Sequence, residues 1–505
     1  MKKLVLLLPA VVAILLVLAV GRALTLDSPQ AAFLPEGPLA LPVVDEAGAA
    51  ARLAGAIRYA TVSNLPPQPI DTAAFLGLHG YLEEAYPLVH ANLGRETVNG
   101  LSLLYTWEGT DPARDPVVLM GHTDVVPVIP GTEEDWTHPA YDGSVRDGFV
   151  WGRGAVDDKS SVVAILEAVE ALLAEGYRPS RTFYLAFGHD EEIGGPRGAA
   201  ALADTIARRS SQLAFVVDEG GAIVRGMLPG VEGPAAIVGV AEKGFLSVRL
   251  RISGQGGHSS VPPATTTVGI LAEAIRRLEE NPFPTALDGP TRAMLETIAP
   301  EASLGMRTVL GNLWLFGPLV KRQMAATPEG SAMLRTTTAA TMFNAGVKDN
   351  VLPITAAAVV NFRIRPGETV QSTLERIQQV VDDPRIQVEV AYDGAAQDPS
   401  PVSDPTGAAY RVLARSIHET LGNGGDAATP GEPPLVVIPY LVVGGTDAKY
   451  YSGRSRNVFR FLPVDFGDAG LGAIHGTDER IAVSDFADAI RFFQRLIRNA
   501  ETLAD

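Results

Sequence analysis

The chain has 505 residues, with 41 Lys and Arg against 58 Asp and Glu, a formal net charge of −17. A hydrophobic share of 46% against 20% charged excludes a disordered chain, and the acidic balance argues against nucleic-acid binding, which needs clustered Lys and Arg on phosphates. There is no cysteine, so disulfides, iron–sulfur clusters and thiol nucleophiles are excluded, and any metal site must draw on His, Asp and Glu.

Lys2 and Lys3 precede an unbroken apolar run from Leu4 to Val20. Its 17 residues make about 26 Å of helix, near the lower limit for a bilayer span. Basic residues before the run orient the remainder outward, with residues 1–25 either an uncleaved signal anchor or a signal peptide cleaved near Ala19–Gly21. The Pro- and Ala-rich stretch 26–44 reads as a tether. Beyond it, short apolar runs alternate with amphipathic windows. Strands are expected at 116–120, 181–187 and 213–217, and a helix at 160–176 with Val163, Leu166, Val169 and Leu173 at helical spacing. The alternation predicts an α/β fold, a mostly parallel mixed sheet flanked by helices. The middle differs: strand 245–252, helix 266–279, strand 356–364 and helix 369–381 form a smaller inserted α+β unit. Between its halves, residues 281–341 carry no clear period, and Pro282, Pro284 and Pro290 make their start irregular. A last helix spans 484–498, with Ser484 as its expected N-cap.

Charged clusters follow the expected strands, where open α/β sheets bind ligands. In Gly121-His122-Thr123-Asp124, His122 is a candidate metal ligand and Asp124 can accept its other ring N–H. In Gly154-Ala155-Val156-Asp157-Asp158-Lys159, the adjacent carboxylates repel, which a cation would relieve; they equally suit the N-terminus of the following helix. Asp157 is placed to bridge two metals. Adjacent Glu191 and Glu192 in HDEEIGG can divide the roles of base and ligand. Asp218-Glu219 is a further strand-end pair, and His475 stands in AIHGTDE. Together these supply an N/O donor set suited to zinc, and also to manganese or cobalt. His79, His90 and His418 lack such surroundings and read as structural or surface residues. His138 and His189 lie near the motifs with no assigned role.

From about residue 45 to the end, GHTDVVP, GRGAVDDK, HDEEIGG, DEGG, GGHSS and the late His475 occur in the order found in the zinc-dependent exopeptidases. The chain resembles that family, which includes carboxypeptidase S, aminoacylase-1, glutamate carboxypeptidase and succinyl-diaminopimelate desuccinylase. The apolar N-terminal segment and long insert are most similar to the carboxypeptidase S and N-fatty-acyl-amino-acid hydrolase branch. The resemblance implies a catalytic domain in two parts, 45–242 and 393–505, around an inserted lid or dimerisation domain at 243–392. It implies two Zn2+ per chain (Mn2+ or Co2+ may replace them), held by His122, Asp157, Glu192, His475 and a residue of the Asp218-Glu219 pair, both of which stay open. Asp157 would bridge and be joined to Asp158 by a cis peptide, Asp124 would orient His122, and Glu191 would be the general base.

By the same resemblance, His258 of GGHSS would donate to the substrate carbonyl oxyanion, often across a homodimer interface. Arg363 would grip a free α-carboxylate, which its guanidinium matches as a fork, while Asn350, Gly445 and Thr446 are further substrate contacts. The expected activity is hydrolysis of the amide next to a C-terminal amino acid, in small peptides or N-acyl amino acids. An aminopeptidase is the rival enzyme, against which Arg363 argues. A catalytically inactive, membrane-tethered binding protein is the rival from another class.

Overall fold

The computed structural model describes residues 2–34, 37, 39–65, 67–392, 394–422, 433–465 and 474–504; residues 35, 36 and 38 of the expected tether lie outside the described residues. Helix α1 (Lys2–Leu24) precedes α2 (Glu46–Ile57), α3 (Thr72–Ala85) and α4 (Pro87–Asn92). Strands β1 (Gly94–Val98), β2 (Ser102–Trp107) and β3 (Val117–His122) follow, then the ribbon β4 (Ser144–Arg146) and β5 (Phe149–Trp151), and α5 (Lys159–Ala174). Next come β6 (Phe183–Gly188), α6 (Ala199–Ala207), β7 (Phe215–Asp218), β8 (Ile223–Val224) and β9 (Ala235–Glu242).

Lys243 alone separates β9 from β10 (Gly244–Ser253), which enters a second sheet. That sheet is built with β12 (Thr337–Ala345), β14 (Thr355–Ile364) and β15 (Ile386–Val390), after the ribbon strand β11 (Gly257–His258) and helices α7 (Thr267–Glu280), α8 (Gly289–Ile298), α9 (Leu304–Leu310), α10 (Leu313–Met324) and α11 (Pro328–Leu334). Strand β13 (Val351–Leu352) pairs with β11, and α12 (Val370–Val381) lies between β14 and β15 in sequence. The chain closes with α13 (Ala408–Leu421), β16 (Val436–Val442), β17 (Val458–Arg460), β18 (Arg480–Ala482) and α14 (Val483–Ala500).

The large sheet runs β1-β2-β6-β3-β7-β17-β9-β16, with β8 beside β9. Strand β3 is parallel to β6 and β7, β17 to β7, and β16 to β9. Strands β2, β3 and β6 are buried at every position, which is why they read as continuous apolar runs. Alternate side chains serve opposite cores: Val117 and Leu119 pack with α2, α5 and α14, while Val118 and Met120 pack with α6 and Tyr451. The expected helix at 484–498 forms as α14, but Ser484 is not its N-cap. Ala482 holds that position without a side-chain bond, and Ser484 Oγ donates to Asp485 Oδ1 at 3.3 Å.

In the second sheet, ordered β12-β14-β10-β15, Leu246, Val248 and Leu250 of β10 and Phe362 and Ile364 of β14 face Leu271 and Leu278 of α7 and Ile377 of α12. The long insert is helical. Its helices α8 to α11 do not add to this core: Met294, Leu295, Ile298, Leu310, Val320 and Met333 pack against Ala235 and Ile237 of β9 and Val436 and Ile438 of β16 in the large sheet.

Candidate metal centre

Parallel pairing of β3 with β6 and β7 brings three carboxyl ends to one edge; His122, the last residue of β3, lies in register with Gly188 of β6. His122 therefore emerges beside the 3-10 turn Glu191–Ile193, and Glu219 follows the end of β7. Asp157 comes from the turn before α5, across a cis peptide bond to Asp158. His475 enters from the loop before β18 with φ 60°.

The groups converge on Asp157. His122 Nε2 lies 2.9 Å from Asp157 Oδ1 and 3.4 Å from Glu219 Oε1. His475 Nε2 lies 3.0 Å from Asp157 Oδ2 and 3.2 Å from Glu192 Oε2. Two ligand atoms bonded to one zinc at tetrahedral angles lie about 3.4 Å apart, so these separations suit donors that share an ion. Each oxygen of Asp157 thus faces a different imidazole. Asp158 lies close enough to His122 and Glu219 to join a ligand group, and its Oδ2 accepts the His122 backbone N–H at 3.3 Å. Glu192 Oε1 and Asp158 Oδ1 are buried with no hydrogen-bond partner.

The electrostatics point the same way. Burial pushes the Glu219 carboxyl up to about 8, with Asp157 adding repulsion. Burial likewise carries Glu191 well above the carboxylate range, reinforced by Glu219, Asp447 and Asp157. Hydrogen bonds to Asp157 and Glu192 raise His475 to about 10. Burial disfavours a charged His122 ring, yet Asp124, Asp157 and Glu219 hold it well above its usual value. Carboxylates crowded out of water around two imidazoles demand positive charge, and divalent cations answer that demand with the N/O donors present. The residues fit the metals that the motifs imply.

Asp124 does more than face His122. His122 Nδ1 stands 3.0 Å from the Asp124 backbone oxygen and 3.3 Å from its Oδ1. The Asp124 carboxylate also accepts the Glu191 and Glu192 backbone N–H groups, each at 3.2 Å, and the Ser63 hydroxyl at 2.6 Å. One buried carboxylate therefore aligns the imidazole and both glutamates. Asp218 is turned away from the cluster: its Oδ2 accepts the Ala448 N–H at 2.7 Å. Thr446 spends its hydroxyl and N–H on Glu242 Oε1, at 2.6 and 2.9 Å, while Gly445 is exposed on the loop before it.

The inserted sheet carries the remaining candidates, apart from the histidine cluster. His258 is exposed on the β11–β13 ribbon, where its Nδ1 accepts the Ser260 N–H at 3.1 Å. Asn350 is beside it, its carbonyl accepting the Ser259 N–H at 3.2 Å. The Arg363 guanidinium lies over the Phe245 ring, 4.9 Å from its centroid, and has no ion-pair partner among the described residues. Its neighbour in type, Arg365, pairs instead with Asp288.

One organising carboxylate lies outside the expected set. Glu479 Oε1 accepts the N–H groups of Gly154, Val156 and Asp157 at 3.0, 2.9 and 3.1 Å, while its Oε2 pairs with Arg153 Nη1 at 2.7 Å. Arg153 also donates to the His475 carbonyl at 3.1 Å, so this buried pair binds the two loops that supply Asp157 and His475. Asp447 is buried under the Glu191–Ile193 turn; a Cβ on Gly195 would fall 2.0 Å from its Oδ1. Glu479 stands in the AIHGTDE stretch, and its position there was a usable signal. Nothing in the local sequence around Asp447 marks it as buried. His79, His90 and His189 all have structural partners: the Leu101 carbonyl, the Tyr86 carbonyl with the Tyr105 hydroxyl, and the Ser102 hydroxyl.

An α/β sheet with paired His and carboxylate donors at its carboxyl edge defines a metal-dependent hydrolase. Residues 118–499 match the peptidase family M20/M25/M40, and the chain belongs to it. It is 39% identical over 456 residues to the N-fatty-acyl-amino acid synthase/hydrolase PM20D1 of Mus musculus, covering 89% of this chain and 87% of that one. It is 37% identical over 456 residues to the probable carboxypeptidase S-like 2 of Dictyostelium discoideum, covering 90% and 85%. The fold is that of the M20 family metallo-carboxypeptidase Sso-CP2 from Sulfolobus solfataricus, with a TM-score of 0.63, 17% identity, and 91% and 100% of the two chains covered. The protein is a hydrolase of amide bonds next to amino acids.

Proposed function

We propose that the chain holds two zinc ions and uses them to release a C-terminal amino acid from an N-acyl amino acid with an apolar acyl chain. The observation that carries this reading is Asp157, with one oxygen toward His122 and the other toward His475. His122, Asp157 and Glu219 would hold one ion, and His475, Asp157 and Glu192 the other. The ions would supply Lewis acidity to the carbonyl and lower the pKa of water. Glu191 takes the proton from the attacking water and delivers it to the leaving amine nitrogen, so the amine departs neutral as the C–N bond breaks. Asp124 keeps the His122 ring and both glutamates aligned through this transfer.

The Arg363 guanidinium, half-buried and without a carboxylate partner, is the group we assign to the substrate's α-carboxylate. His258 would reach the oxyanion from a second copy of the chain. The exposed edge strand β12, with Met342 and Phe343 open to solvent, supports a homodimer through the inserted sheet. Helix α1 would anchor the exported enzyme: among the described residues it alone is long and apolar enough to cross a membrane, and an 18-residue window in the stretch Val11–Ala32 has a mean hydropathy of 2.0. Lipophilic acyl chains partition to that membrane, and the similarity to PM20D1 favours them over dipeptides.

The test is metal analysis and turnover of the full chain in detergent, with an N-oleoyl amino acid and a Gly-Xaa dipeptide as competing substrates. About two zinc per chain and preferred hydrolysis of the acyl amino acid are expected. Dipeptide preference would remove the acyl reading, and protein that stays inactive and metal-free in excess zinc would leave a binding role.

A further inference from the structure

The insert meets helix α1 at a defined point. Asn312, buried at the start of α10, donates from Nδ2 to the Ala19 carbonyl at 2.9 Å. Ala19 and Ala23 are fully buried in this contact region, and Leu26 packs so closely on Gly311 that a Cβ there would meet its Cδ1 at 2.6 Å. By contrast, Val11, Val12, Ile14, Val17 and Leu18 on the same helix are exposed. The apolar run ends at Val20, so the insert grips α1 within about one helical turn of the place where a spanning segment leaves the hydrocarbon.

A second bond extends this placement to an aromatic ring. Trp314 Nε1 donates to Asn312 Oδ1 at 3.1 Å. The same amide thus holds the exit of α1 on one side and an indole on the other. The indole is 58% exposed, and Leu319 on the same helix and Leu304 on α9 are exposed at 59% and 51%. The charge around them is also distinctive. From Ser303 to Thr327 the chain has Arg307, Lys321 and Arg322 and no acidic residue, within a protein of net charge −17. An apolar surface rimmed by cations beside a span's exit matches a bilayer interface, where tryptophan collects and anionic headgroups attract Lys and Arg.

We propose that the α9–α10 face is a bilayer-docking surface, with Trp314 seated at headgroup depth and Lys321 and Arg322 over anionic lipid. The proposal rests on α1 lying in the membrane, and it is independent of the hydrolase assignment. Docking on this face gives the anchored enzyme a fixed orientation through α1 and the insert together.

Tryptophan emission tests it directly, because Trp107, Trp136 and Trp151 are buried and Trp314 alone of the four is exposed. The full chain is reconstituted into vesicles of phosphatidylcholine with a minor share of phosphatidylglycerol, prepared with either ordinary or brominated acyl chains. The expected result is quenching in brominated vesicles that disappears in Trp314→Phe. Leu319→Glu, a surface change that leaves Trp314 as reporter, should weaken that quenching while hydrolysis of a soluble substrate continues. Emission that is unchanged by brominated lipid, quenching that persists in Trp314→Phe, or a chain that washes off the vesicles at alkaline pH would each overturn the proposal.

Discussion

Asp157 offers one oxygen to each of two imidazoles, and among the described residues no other touches both. Its neighbours divide by what their side chains still have free. Glu192 Oε2 is spent on the His475 side, whereas the Glu191 carboxyl makes no ion pair among the described residues. The two glutamates are therefore separable by experiment. Glu191→Gln keeps the shape and removes the proton acceptor, so kcat should fall by about 10²–10⁴ with zinc content unchanged, as metal analysis on the same sample would show. Glu219→Gln should instead release zinc, because Glu219 faces His122 at 3.4 Å. Asp218→Asn should keep zinc, since Asp218 is engaged by the Ala448 N–H. Zinc loss in Asp218→Asn with retention in Glu219→Gln would reverse this assignment.

Loops bring these residues together, and Glu479 secures two of them. Its carboxylate takes three backbone N–H groups from the Gly154–Asp157 turn and pairs with Arg153 in a site closed to water. Glu479→Ala would leave Arg153 buried and unpaired and the turn unbonded, which costs about 3–5 kcal/mol. A lower Tm together with weaker zinc retention is the expected outcome; a variant with unchanged Tm would show that the pair is dispensable. The strands at this edge were legible because burial on both faces writes them as unbroken apolar runs, and the motifs follow them directly. The helices of the insert were not, for a reason visible in their prolines. Pro290 and Pro328 occupy the first turns of α8 and α11, where a missing N–H costs nothing, and Pro318 lies inside α10. Pro290, read in the sequence as part of an irregular start, in fact opens a helix, whereas Pro282 and Pro284 do lie in the irregular stretch before α8. Ser484 misled in the opposite direction, since α14 begins one residue before it and takes no side-chain cap. Glu479 acts through the backbone amides of a distant segment, at which only its place in AIHGTDE hints, and Asp447 is buried by packing that no local spacing encodes.

At the scale of the whole molecule, the segment after α1 closes the open edge of the large sheet. Strand β16 is the last of its order, and the Gln30 side chain pairs with it as another strand would: Nε2 donates to the Val437 carbonyl and Oε1 accepts the Val437 N–H, both at 2.9 Å. His418 of α13 completes the contact, with Nε2 3.0 Å from Gln30 Oε1, so this ring nitrogen carries the proton. Burial pulls His418 down from 6.5 to about 4, so the folded chain favours a neutral ring that the unfolded chain charges more readily. The sign follows. Above pH 6.5 both states are neutral and the contribution is fully present; between 6.5 and about 4 the unfolded chain binds the extra proton and stability falls as pH falls; below about 4 the loss levels off. A shift of that size amounts to about 3 kcal/mol. Carboxylates titrate in the same window, so the comparison must be with His418→Gln, which keeps an amide N–H for Gln30 and removes the titration. The wild-type Tm should fall more steeply than the variant's as pH drops from 6.5 to 4. Parallel Tm curves would mean that the edge closure is insensitive to the ring's charge. Because Gln30 lies only a few residues beyond α1, the steeper slope would place one acid-sensitive contact at the junction between the apolar helix and the hydrolase body.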